Sequence, residues 1–159
     1  EIALNHKYRN KQLNNYPITG QLSTKAPIER ICSVQIQDID GDNLIVTYNT
    51  TGDWVLNATH LHITSCEVDG FPVTGSNNPQ IGQFDYASEH ETGTTQVIYT
   101  IDIGEITGEL CFAAHAEVNG PSEETAWAEG EGFGGNSWAM YFQADLIDCN
   151  DDGGGTPAF

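Results

Sequence analysis

The chain has 159 residues, which is enough for one ordinary domain and too few for two of usual size. Its formal net charge is −18 at pH 7, and this excludes nucleic acid as an expected partner because phosphate binding needs Lys and Arg. No stretch approaches the roughly 18 to 20 consecutive apolar residues of a membrane-spanning helix, so we expect no membrane insertion of the mature chain.

The positive charges are concentrated near the N-terminus. All five Lys and Arg residues lie in the first thirty positions, at Lys7, Arg9, Lys11, Lys25 and Arg30. Residues 31–159 contain no Lys or Arg and hold 21 of the 23 carboxylates. Because opposite charges attract, we expect the N-terminal segment to dock on an acidic body, either its own or that of a neighbouring copy.

Residues 1–30 are predicted to form an extended arm that carries one strand. Ile2, Leu4, His6 and Tyr8 alternate with smaller or polar residues, and a period of two is typical of a strand. Residues 14–27 contain several Asn, Pro and Gly residues and are predicted to be turns and linker. The candidate subunit-contact residues of the arm are Ile2, Leu4, His6, Lys7, Tyr8, Arg9 and Lys11.

The body, residues 31–150, is predicted to contain six or seven antiparallel strands. Strand patterns cover residues 31–38, 44–48, 57–66, 96–103, 110–118 and 137–148. Long Gly-rich loops are expected at 67–91 and between 119 and 135, and a Gly-rich tail at 151–159. Without a convincing amphipathic helix, the pattern predicts an all-β fold, an antiparallel β-sandwich, with a barrel as the alternative.

Four cysteines, Cys32, Cys66, Cys111 and Cys149, are widely spaced and form no CxxC pair. Two disulfides are therefore expected rather than a metal cluster, with four buried free thiols as the alternative. In the strand order above, Cys66 and Cys111 lie at neighbouring strand ends, as do Cys32 and Cys149, so we prefer the pairs Cys66–Cys111 and Cys32–Cys149. The expected disulfides predict a location outside the cell or on its surface. Because the chain opens on Glu1 rather than Met, we also expect a mature product.

Five segments carry a resemblance to a known module: HLHI, GQFDY, CFAAHAEV, ETAWAEGEGF and SWAMYF, at 60–63, 82–86, 111–118, 124–133 and 137–142. Their order and spacing resemble an uncharacterised β-sandwich module of bacterial and archaeal secreted and cell-surface proteins, over about residues 32–149. The resemblance implies a surface location and supplies no catalytic residues.

His60 and His62 share one face of a predicted strand, and His115 lies in a strand that could pair with theirs. Three converging imidazoles would suit Zn²⁺ or Cu²⁺. The alternative is that these histidines are hydrogen-bonded structural residues beneath Trp127 and Trp138.

The acidic stretch 122–131 is a candidate Ca²⁺ site because four carboxylates in ten residues repel one another unless they bind a cation. Its candidate ligands are Glu123, Glu124, Glu129 and Glu131. The alternative is a solvated acidic loop. Asn49 and Asn57 each begin an N-x-Thr triplet and are candidate glycosylation sites.

No nucleophile, base or metalloenzyme motif is recognisable, so we expect no enzyme. Two functions remain. The first is a structural subunit of an extracellular filament, in which the arm of one copy adds as a strand to the next copy in a homopolymer. The second is a surface-displayed binding or adhesion module for carbohydrate, with or without Ca²⁺, for which Trp54, Tyr86, Trp127 and Trp138 are the available aromatic residues.

Overall fold

A computed structural model describes residues 18–25, 30–38, 43–66, 70–102 and 108–146. Within these ranges the chain is nearly all strand, with one 3-10 turn at Ile81–Gln83. The strands are β1 (Ile18–Ser23), β2 (Arg30–Asp38), β3 (Asn43–Thr50), β4 (Val55–Ser65), β5 (Tyr86–Glu89), β6 (Gln96–Asp102), β7 (Gly108–Asn119), β8 (Glu123–Ala128), β9 (Glu131–Gly132) and β10 (Met140–Leu146). The predicted all-β fold is confirmed.

The described strands form one curled sheet in which every pairing is antiparallel. Around the curl the order is β5-β4-β7-β8-β1-β2-β3-β6. In addition, β10 pairs with the first part of β7, and β9 pairs with β10. The two ends of the sheet approach each other, since Tyr86 of β5 and Tyr99 of β6 have ring centroids 6.2 Å apart. The sheet is continuous through β8 and β1, so the division into two sheets that a sandwich requires is not confirmed.

The main core lies on the inner face of the curl. Along β3 burial alternates, with Leu44, Val46 and Tyr48 directed inward, as the period of a strand requires. The fully buried Tyr48 donates a hydrogen bond from its hydroxyl to the carbonyl of His60 at 3.1 Å, which connects β3 to β4 across the core. This bond satisfies the hydroxyl of Tyr48 in a largely apolar core.

The central strand β7 is buried on both faces. Ala114 and Ala116 belong to the inner core, whereas Ala113 packs outward against Phe84, Trp127 and Ala139. We call this second group, with its flanking Phe71, Ile81, Phe133, Trp138, Met140 and Tyr141, the outer cluster. Small alanines on β7 let side chains from two long connections pack closely over the sheet.

Four strands, β1, β5, β8 and β9, lie where loops or linker were expected, and two of them matter for the interpretation. Ile18–Ser23 was predicted to be linker, but it pairs with β2 along its length and buries Leu22 completely. The body therefore begins at or before Ile18, and the predicted arm boundary at residue 30 is wrong. The stretch 123–128, predicted to be an acidic loop, forms β8. The last strand starts at Met140 rather than at Ser137.

Several predicted features lie outside the described residues. These are the arm residues Ile2, Leu4, His6, Lys7, Tyr8, Arg9 and Lys11, the tail 151–159, and Cys149.

The Cys66–Cys111 disulfide is present, with the two Cα atoms 5.0 Å apart, and it joins the end of β4 to β7. It indicates an oxidising, non-cytoplasmic environment. The predicted Cys32–Cys149 disulfide is not supported on the Cys32 side, because Cys32 is a free thiol. Its side chain is 1% exposed and belongs to the buried core cluster. Within the described ranges, no helix is long and apolar enough to cross a membrane.

Candidate functional site

The outer face of β4, β7 and β8 carries a row of three polar and aromatic side chains. The register places His60 opposite His115, and His115 opposite Trp127. Their strand neighbours Leu61, Ala114 and Ala126 point the other way, into the inner core. The sequence-based expectation that the strand of His115 pairs with that of His60 is confirmed.

His60 and His115 meet edge to edge. Their Nδ1 atoms are 3.2 Å apart, and their ring centroids are 5.2 Å apart. One Nδ1 carries the hydrogen and donates it to the other. The ring of Trp127 packs against the other side of His115, with centroids 4.7 Å apart. His115 is 3% exposed, whereas His60 is half-buried and reaches solvent.

Burial keeps this pair uncharged. It lowers the pKa of His115 to about 3, and the neighbouring His60 lowers that pKa further because two imidazolium ions would repel. Burial also lowers the pKa of His60, although the carboxylate of Glu117 opposes the shift. At pH 7 both rings are therefore neutral, and one Nδ1 presents its lone pair to the N–H of the other.

His62 does not join the pair. Its Nε2 donates to the carbonyl of Gly70 at 2.8 Å, and its Nδ1 accepts from the backbone N–H of Asp85 at 3.3 Å. The ring also packs against Phe71 and Phe84 of the outer cluster. Because both ring nitrogens are already bonded, His62 has the structural role that was the alternative to a metal ligand.

The four candidate Ca²⁺ ligands are not gathered at one point. Glu129 binds Arg30 through two hydrogen bonds of 2.8 and 2.9 Å, and Glu131 accepts a bond from the hydroxyl of Tyr141. Glu123 and Glu124 are consecutive on β8 and line a cleft that neither Glu129 nor Glu131 borders. In the part of the chain that the structure describes, no group of three or more His, Cys, Asp or Glu is arranged to hold a metal ion.

Both candidate glycosylation sites lie on strands. Asn49 on β3 accepts a 2.8 Å hydrogen bond from the side chain of Gln96 on β6. Asn57 on β4 lies at an irregularity in the pairing with β7 and borders an acidic cleft that Glu117, Glu123 and Glu124 also line. Each side chain is partly exposed. Glycosylation at either position stays a prediction.

A buried polar contact that the sequence gave no reason to expect connects β4 to β6. The hydroxyl of Thr59 lies 2.8 Å from Nε2 of His90 and 2.6 Å from the hydroxyl of Tyr99. Thr59 is completely buried, so its hydroxyl needs these partners. No signal in the sequence connects these residues because they are 31 and 40 positions apart.

The strand β6 ends the sheet. It pairs with β3 along one edge, and none of the described strands pairs with its other edge. Burial alternates along it, with Val97, Tyr99 and Ile101 facing the core and Ile98 56% exposed. Within the described ranges, Ile98 is the large hydrophobic residue that stands out in solvent.

Comparison with protein-family models, with curated proteins and with solved structures finds no match for this chain. The resemblance to the secreted and cell-surface module therefore stays a prediction.

Proposed function

We propose that the protein is a structural subunit of an extracellular filament, in which the N-terminal segment of one copy adds as a strand to the edge of β6 in the next copy. The observation that carries the proposal is this edge. It is seven residues long, contains no Pro or Lys, and exposes Ile98. Natural proteins usually protect such an edge with charge, Pro or a bulge, because it offers unpaired backbone groups to another strand.

The predicted arm strand matches this edge in length, and its charge is opposite to that of the body. Residues 2–8 and β6 are both seven residues long, which corresponds to about 23 Å of extended chain. The arm carries Lys7, Arg9 and Lys11, whereas the sequence after residue 30 has neither Lys nor Arg. Residues 9–17 would supply a tether of up to about 30 Å before β1 begins. Contact passed from copy to copy in this way is heterologous and produces a fibre unless it closes into a ring.

The alternative is that the arm pairs with the body of its own chain. One contact of this kind exists, because Arg30 binds Glu129 within the same chain. Arg30, however, follows β1 and belongs to the body, so this ion pair does not decide where residues 1–17 dock. The experiment must therefore separate docking within a chain from docking between chains.

Electron microscopy and analytical ultracentrifugation of four proteins test the proposal. We expect filaments from the complete chain, and their loss on deletion of residues 1–12 and in Ile98→Lys. The matched control is Thr125→Lys on β8, an exposed position on a strand away from both ends of the sheet, which should leave filaments intact. Near-ultraviolet circular dichroism verifies that each variant is folded.

Mixing decides whether docking occurs between chains. A chain without residues 1–12 can accept an arm but cannot donate one, so a small fraction of it should shorten filaments of the complete chain. Filaments of unchanged length in the mixture, or filaments that form from the deleted chain alone, would contradict assembly by arm addition. A 159-residue chain that stays monomeric at all concentrations would also contradict the proposal.

One observation favours the second function, a surface-displayed carbohydrate-binding module. A pocket of about 220 Å³ beside the disulfide is bordered by Phe71, Phe133 and Tyr141, together with polar Thr64 and Gln143. Aromatic faces with a few polar groups are typical of small-ligand sites. Trp54 and Trp127 are buried instead, and Tyr86 and Trp138 are half-buried. A glycan array with and without Ca²⁺ tests this function, which Tyr141→Ala should weaken if the pocket binds sugar.

A further inference from the structure

We propose that His60 and His115 form a binding site for one divalent transition-metal ion of the class that prefers imidazole, such as Zn²⁺, Cu²⁺ or Ni²⁺, through their Nδ1 atoms. This site is independent of the filament and of the carbohydrate pocket. It differs from the three-histidine site that the sequence suggested, because His62 is already bonded through both ring nitrogens.

The separation of the two nitrogens suits a shared metal ion. Metal–nitrogen distances of about 2.0 to 2.1 Å place two ligands of a tetrahedral centre roughly 3.4 Å apart. The two Nδ1 atoms are 3.2 Å apart. The ring centroids are 5.2 Å apart and the ring planes are tilted by 50°, so the rings are not stacked and they meet through their Nδ1 atoms.

Binding requires no net loss of a proton. In the empty pair one ring carries its hydrogen on Nδ1 and the other on Nε2. A metal ion bound by both Nδ1 atoms requires the first ring to transfer its hydrogen to Nε2, and both rings stay neutral. His60 is only half-buried, so solvent can accept and return this proton.

One acidic side chain lies close to the pair. Glu117, two positions along β7 from His115, lies on the same face and adds negative potential at His60. With no third ligand arranged among the described residues, water would fill the remaining coordination positions.

Trp127 supplies the readout. Its ring lies 4.7 Å from that of His115, and a paramagnetic ion such as Cu²⁺ or Ni²⁺ at the site should quench its fluorescence. Titration of the untagged, complete chain with CuCl₂ should give quenching that saturates at one ion per chain. ZnCl₂ should shift the NMR signals of His60 and His115 and leave those of His62 unchanged. MgCl₂ at the same concentration controls for cations held loosely by the acidic surface, and it should do neither.

Variants test which residues bind. His60→Asn should weaken Cu²⁺ binding by more than about tenfold, since it removes one of two ligands. His60 is the better target because it is half-exposed, whereas the buried His115 risks unfolding. His90→Asn is the matched control, a partly buried histidine of the same chain that should bind as the wild type does. Equal affinity in wild type and His60→Asn, or quenching by MgCl₂, would overturn the proposal.

Discussion

His115 couples the stability of the fold to pH. Its pKa is about 3 in the folded chain, against an ordinary value of about 6.5 that it regains on unfolding. Above pH 6.5 the ring is neutral in both the folded and the unfolded chain, so it does not change the free energy of unfolding. Below pH 6.5 the unfolded chain takes up a proton that the folded chain refuses, so stability falls as the pH falls, until the folded ring also protonates near pH 3.

We therefore expect the free energy of unfolding to contain a component that decreases by up to about 1.4 kcal/mol per pH unit between pH 6.5 and pH 3. The many carboxylates titrate in the same range, so the slope must be compared between proteins. Urea unfolding at several pH values should give a shallower slope for His115→Gln than for wild type, even though the variant is less stable at pH 7. Parallel slopes would show that His115 is protonated alike in both states.

The thiol of Cys32 is buried among apolar side chains, and this burial raises its pKa to about 12. Because the thiolate is the reactive form, we expect iodoacetamide to leave Cys32 unmodified in the native protein. After denaturation without reductant, peptide mapping should find Cys32 alkylated. An unmodified Cys32 under those conditions would mean that it is paired with Cys149 after all.

At the scale of the strand, the local sequence pattern predicted some strands and missed others, because strand formation also depends on the pairing partner. The alternating sequences of β2, β3, β6 and β7 predicted these strands to within one or two residues of their ends. β8 was missed because its sequence, EETAWA, begins with two glutamates and its exposed first half has no apolar alternation. Its strand conformation depends on pairing with β7, which no local signal records.

The candidate site was likewise predicted only in part, because it also depends on contacts between distant segments. Two-residue spacing placed His60 and His62 on one face, and the order of the strands placed His115 near them. The division of roles between the three could not be predicted. It depends on the loop that brings the carbonyl of Gly70 and the backbone of Asp85 to His62, and the path of a long loop is set by tertiary packing.

The disulfide stabilises the pairing of β4 with β7. It spans 45 residues of sequence, and closing a loop of this length lowers the entropy of the unfolded chain enough to contribute roughly 4 kcal/mol. We expect the double variant Cys66→Ser, Cys111→Ser to lose about this much in urea unfolding. Cys32→Ser in the same measurement controls for the loss of a buried sulfur that closes no loop. Equal losses in the two proteins would assign the effect to packing instead.

The charge of the whole molecule acts in opposite directions on folding and on assembly. With a formal charge of −18, the folded chain repels itself, and added salt screens that repulsion. Contact between the basic arm and the acidic body of another copy would be an attraction, which salt weakens. Salt concentration therefore separates the effect of charge on folding from its effect on assembly.

We expect the melting temperature to rise between about 0.02 M and 0.5 M NaCl, by roughly 2–4 °C for each kcal/mol of repulsion removed. Over the same range filaments should shorten or dissociate, as measured by sedimentation. NaCl is preferable to sulfate, because sulfate also strengthens apolar burial. A melting temperature that falls with NaCl would show that attraction dominates the folded chain. Filaments that lengthen with salt would mean that apolar contacts such as Ile98, rather than the charge of the arm, drive assembly.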